Sequence, residues 1–263
     1  MNPSRESKNR LRVNGDALSA QDRWPHEFRK LVTIGASMTA GGWSTARERC
    51  WASLLAAMIS DYQAHPVELF NAGLGANCIS PRSACYAASS KPSASERLEH
   101  HVIAQDPDLL IFDYALVDAR GGTPVEVFAE ELTTLVRRVR ARIAPLIVLL
   151  GPFHMTEHGM KHGEAGWDHA TPAVLAAYNE TTARVASQEG CLFVDVFSAF
   201  GEADWLIHYD NVHLNDIGHR VTANAIFDAL ARSCSGLTQH TKEIEKTSPR
   251  WRNEAWLQVL PVD

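Results

Sequence analysis

Five short, unbroken apolar runs recur along this chain, separated by longer stretches with helical periodicity. The runs are 30–34, Val67–Asn71, Asp108–Tyr114, Leu146–Leu150 and Cys191–Asp195. A strand that faces water on one side alternates apolar and polar residues, whereas one buried on both faces does not. Continuous runs therefore predict strands of a parallel sheet covered on both sides. The helical stretches fall at 47–62, about 95–105, Pro124–Ile143, Pro172–Glu189 and Asp216–Arg232, where crossovers are needed. Pro124 and Pro172 each follow a threonine, which reads as an N-cap and then the first helical residue. The expected fold is α/β, a doubly wound three-layer α/β/α sandwich around a five-stranded parallel sheet.

In such a sheet a ligand site forms beyond the carboxyl ends of the strands. Ser37 follows the first run, in the tight turn Gly35, Ala36, Ser37, where a strand passes to a helix and glycine permits the turn. Residues 71–77 follow the second run, Val117 and Asp118 the third, and His154 the fourth. Asp210 and His213 follow the fifth. Their spacing lets Asp210 hold one ring nitrogen of His213 while the other faces outward as a base. Nucleophile, orienter and base thus come to one edge in the chain order Ser, Asp, His. A cap serine and a structural turn are the bland readings of the same residues.

These residues carry a resemblance. The stretch from Gly35 to Gly41, with Ser37 in it, is similar to the first sequence block of the SGNH (GDSL-type) hydrolases. Asn71 to Asn77 resembles their second block, Phe112 to Ala119 their third, and Asp210-x-x-His213 their last. The resemblance implies a flavodoxin-like SGNH hydrolase fold with catalytic Ser37, Asp210 and His213. It also implies oxyanion donors from the backbone N–H of Ser37 and of the residue at position 76. Two departures stand out: the second-block glycine is Ala76 and the third-block asparagine is Val117. Ala76 keeps its N–H, provided its turn does not demand a positive φ. Val117 has no side-chain donor, and loss of one such donor typically costs about 2.7–4 kcal/mol of transition-state stabilisation.

The remaining features are less specific. At 263 residues and 45% hydrophobic content, the chain can bury one core. The expected organisation is a polar N-terminal extension (1–28), an SGNH hydrolase-like domain (29–235) and a C-terminal tail (236–263). Trp251 and Trp256 suggest that the tail docks onto the body or onto a second copy in a homo-oligomer. A net charge of −6 without a basic block disfavours nucleic acid and anionic membrane as partners. Arg137, Arg138, Arg140 and Arg142 read as a solvated helix face. No signal-like or membrane-spanning stretch is present, and five scattered cysteines fit reduced thiols, so a cytoplasmic location is expected.

His154, His158, His162 and His169 could suit a metal if helical, but Gly159, Gly163 and Gly166 favour a mobile lid. Trp43, Trp167 and Trp205 fall in loops near the same edge, placed to stack on a substrate or to pack at the surface. Asp118 reads as structural. No cofactor and no metal is implied. The best reading is an esterase for acetyl or other short acyl groups on a carbohydrate or small molecule. Acyl transfer with the same residues, and a binding protein that kept the fold with weakened chemistry, are the rivals.

Overall fold

Strand β1 (Lys30–Gly35) is the pivot of the sheet, pairing in parallel with β2 (Glu68–Gly73) on one side and β3 (Leu109–Asp113) on the other. The computed structural model describes residues 22–248. β4 (Leu146–Leu150) and β5 (Leu192–Val194) complete a five-stranded parallel sheet in the order β2-β1-β3-β4-β5. Every residue of β3 and β4 is buried, as the continuous apolar runs require, while the edge strand β2 is partly exposed. Val32, Leu110 and Val148 are wholly withdrawn from water, each worth roughly 1.5–3 kcal/mol of burial.

The helices before the midpoint are α1 (Ser37–Ala40), α2 (Trp51–Tyr62), α3 (Tyr86–Ser89), α4 (Ala94–His101), α5 (Ala115–Arg120) and α6 (Val125–Arg140). Those after it are α7 (Glu157–Lys161), α8 (Pro172–Gln188), α9 (Val196–Phe200), α10 (Asp216–Ser233) and α11 (Gly236–Glu245). α2 packs with α10 and α11, and α6 packs with α4 and α8, giving the two outer layers. Among the described residues no helix is long and apolar enough to cross a membrane. The order in which the strands are laid down reverses between β1 and β3, so the crevice beyond their carboxyl ends is the place where this fold admits a ligand.

Three local expectations need amendment. Pro172 is indeed preceded by a capping Thr171, whose hydroxyl accepts from the Val174 N–H. Pro124, however, is itself the cap, with ψ at 135°. Thr123 is diverted: its hydroxyl donates to Asp118 and accepts from the Ala84 N–H. Gly35 answers a need for space, because a Cβ there would lie 2.2 Å from Thr39 Oγ1. The termini of the described chain also belong to the body. Phe28 is buried and exchanges two hydrogen bonds with the Gln63 amide, and Leu237 of α11 joins the core. Phe28 and Leu237, just outside the expected bounds of 29 and 235, thus pack into the same core. Trp251, Trp256 and the oligomer contact expected of them lie outside the described residues.

Candidate active site

Ser37 is the first residue of α1, so its N–H has no carbonyl one turn back to bond with. Asp210 and His213 sit on a turn between the 3-10 segment Asp204–Leu206 and α10. An antiparallel bridge between Ile207 and Leu214 closes that turn, and the His208 N–H donates to the His213 carbonyl at 2.7 Å. Asn215 then caps α10, accepting from the N–H groups of Ile217 and Gly218. A charged turn is thereby clamped at both ends over the β1 edge.

The three side chains form one hydrogen-bonded row. Ser37 Oγ lies 2.9 Å from His213 Nε2, and His213 Nδ1 lies 2.6 Å from Asp210 Oδ2. The tautomer with its proton on Nδ1 satisfies both contacts and leaves Nε2 to accept from the serine hydroxyl. Asp210 Oδ1 accepts from the N–H groups of Val212 and His213. Burial pushes the Asp210 carboxyl up, yet these hydrogen bonds outweigh it and hold the group below its ordinary range. Burial lowers His213, and Arg120 adds to that; the pull of Asp210 opposes but does not reverse it. The imidazole is therefore held neutral, the form a base requires. Trp43 covers the ring, stacked at 3.5 Å between centroids.

A cleft of about 550 Å³ opens on this row, lined among others by Trp43, Ala76, Val117, Arg120 and Trp167. Across residues 33–221 the chain matches the GDSL-like Lipase/Acylhydrolase family. It belongs to that family. A search of curated protein sequences finds no match. Among solved structures, a lipase/acylhydrolase from Enterococcus faecalis aligns at 18% identity and a TM-score of 0.62, covering 77% of this chain and 95% of that one. An acetylxylan esterase from Geobacillus stearothermophilus aligns at 19% identity and 0.59, over 80% and 96% of the two chains. An α/β hydrolase from the metagenome of Lake Arreo, Spain, aligns at 22% and 0.61, over 82% and 98%. At such identities these likenesses speak to the fold.

Within this GDSL-like frame the two departures take a definite form. Ala76 is held at φ 56°, so the turn does demand the left-handed region and the alanine carries strain. Its N–H and that of Ser37 enter none of the hydrogen bonds among the described residues. Val117 is buried on α5 with Ala36, Cys78 and Cys85, and shows one edge to the cleft. Neither neighbour that could stand in for an asparagine is free. Asn77 donates to the Pro92 carbonyl and accepts from Arg97 and the Tyr114 hydroxyl, and His154 pairs with Asp204 at 2.7 Å. Asp118 is consumed by the Ile79 N–H and the hydroxyls of Ser83 and Thr123.

The histidine-rich segment departs from the loop its glycines suggested. It holds the helical turn α7, capped by Thr156, and the turn is seated on the Asp210 loop. Thr156 donates its N–H to the Asn211 carbonyl, and a Cβ on Gly159 would lie 2.3 Å from that same oxygen. Glycine is there to allow the contact. His158 and His162 stack on each other and line the cleft, whereas His154 and His169 point elsewhere. Among the described residues no cluster of three or more His, Cys, Asp or Glu is placed to hold a metal ion. Trp43 and Trp167 line the cleft; Trp205 stands outside it, 78% exposed. Trp43 was expected near this edge but not its stack on His213, and Arg120, Lys91 and Glu164 of the cleft went unread in the sequence. The only signal for Arg120 was its place one helical turn after Val117.

Proposed function

We propose that this chain is a serine ester hydrolase acting on short acyl esters of a carbohydrate or small molecule. The observation that carries it is the unbroken row Ser37–His213–Asp210 opening on a cleft. Ser37 Oγ attacks the ester carbonyl while Nε2 of His213 takes the hydroxyl proton. Asp210 holds the ring in register and stabilises the imidazolium. The carbonyl oxygen, now an oxyanion, is faced by the unpartnered N–H groups of Ser37 and Ala76. The C–O bond then breaks, Nε2 returns its proton to the departing alcohol, and an acyl-enzyme remains. Water, deprotonated by the same imidazole, attacks that ester and releases the acid and free Ser37. The apolar wall of Trp43, Val117 and Trp167 suits a small acyl group.

Labelling with a fluorophosphonate probe tests the reading. Adduct formation at Ser37 is expected, lost in Ser37→Ala and in His213→Ala. Each substitution should lower turnover of para-nitrophenyl acetate by about 10⁴–10⁶-fold while the fold, followed by circular dichroism, stays intact. Near wild-type turnover in either folded variant would remove the assignment. An unlabelled, folded wild type would instead favour the binding-protein reading.

A further inference from the structure

The cleft contains a positive charge that ester cleavage as described does not use. Arg120 ends α5 one helical turn after Val117, so both project from the same face, and both line the cleft beside Ser37. Its Nε is fully buried and makes no hydrogen bond. Burial weakens its hold on the proton, and the carboxylates that oppose this, Glu164 and Asp210, act at a distance. Asp210 is already committed to His213 and two N–H groups, and Glu164 is exposed to solvent. Lys91, the other cation on the wall, donates to the Gly75 carbonyl. A guanidinium with its Nε desolvated and no acceptor on any of its nitrogens among the described residues is poorly satisfied until an anion reaches it from the cleft.

We propose that Arg120 binds a carboxylate carried by the ester substrate, so that the cleft selects monoanionic esters over neutral ones. This rests on the hydrolase reading of Ser37. A carboxylate fits because its two oxygens match the planar fork of a guanidinium, and because one charge meets one charge. The net charge of −6 gives the molecule as a whole no attraction for anions, so the selection is local to this side chain. Binding has a second effect. Arg120 helps to keep the His213 pKa low. A carboxylate resting on Arg120 offsets that charge and leaves His213 a stronger base in the complex than in the free enzyme.

The test compares para-nitrophenyl acetate with mono-para-nitrophenyl succinate, whose carboxylate is on the acyl side, and with para-acetoxybenzoate, whose carboxylate is on the alcohol side. One of the two anionic esters should be preferred. Arg120→Gln should lower the kcat/KM ratio of that ester to acetate by about 10–150-fold, mainly through KM, with Arg120→Lys intermediate. The acid limb of kcat should lie at higher pH with the preferred ester than with acetate. A ratio unchanged by Arg120→Gln overturns the proposal; if kcat also falls equally on all three esters, the guanidinium faces the oxyanion instead. Titration of the preferred anionic ester itself into Ser37→Ala and into Ser37→Ala/Arg120→Gln reads the site without turnover. Binding that depends on Arg120 supports the proposal, and no binding to either variant, or equal binding to both, sinks it. Loss of fluorophosphonate labelling would sink the hydrolase reading separately.

Discussion

The indole of Trp43 lies flat on the imidazole of His213, ring centroids 3.5 Å apart and planes 6° from parallel. Trp43 reaches this position from a left-handed backbone conformation, φ 68°, that a bulky residue rarely adopts. The contact shields the base from water and, once it is protonated, sets an aromatic face against an imidazolium. Trp43→Ala should lower kcat/KM on a para-nitrophenyl ester by about 3–30-fold, as expected for loss of one such contact. Burial is the larger influence on His213, so exposing the ring should move the acid limb of the profile to higher pH. An unchanged limb together with unchanged kcat/KM would mean the stack is packing alone.

Wild-type kcat/KM should itself follow the neutral fraction of His213. The pKa is lowered from 6.5, so activity is full at neutral pH and falls only as the solution becomes more acidic than an ordinary histidine would require. The sign is firm: a depressed base pKa moves the limb down. A limb centred above 7 in a chemistry-limited assay would contradict the burial argument.

Ala76→Gly should stabilise the fold. At φ 56° an L-residue carries about 1–2 kcal/mol of strain that glycine does not. Glycine gives back about 0.4–1 kcal/mol through the greater freedom of the unfolded chain. The balance is a gain of up to about 1.6 kcal/mol, read as a small rise in Tm with the Ala76 N–H kept in place. A lower Tm would show that the Cβ packs usefully enough to outweigh its strain.

Val117→Asn should raise kcat on neutral esters by up to ~10²–10³-fold if the amide reaches the oxyanion. The same substitution places a polar group against Ala36, Cys78 and Cys85. An amide left unpaired there costs about 1–3 kcal/mol, so kcat and Tm must come from one preparation. Unchanged kcat in a folded variant would mean that the donor role is already filled or that Val117 does not face the oxyanion.

The sheet was legible because burial on both faces leaves a plain mark, unbroken apolar runs, and β3 and β4 are buried along their whole length. The row of Ser37, Asp210 and His213 was legible because a hydrogen-bonded hydroxyl, imidazole and carboxylate need fixed residue types, here at strand ends. What was hidden depends on approach between segments distant in sequence. Nothing near Trp43 announces a stack on a residue far along the chain, and nothing near Thr123 announces that Asp118 will draw its hydroxyl away from capping α6. Gly159 looked like a helix breaker and proved to be the point where two segments touch. The strain at Ala76 was foreseeable only as a condition, since φ belongs to the turn and not to the residue.

That contact at Gly159 ties α7, which lines the cleft, to the turn that carries Asp210 and His213. The carbonyl of Asn211 takes the Thr156 N–H and faces Gly159, and Asn211 follows Asp210 directly in the chain. A swing of α7 away from the body would pull on the peptide next to the carboxylate that aligns His213. The wall of the cleft and the turn that sets the ring of His213 are thus braced against each other through a single peptide.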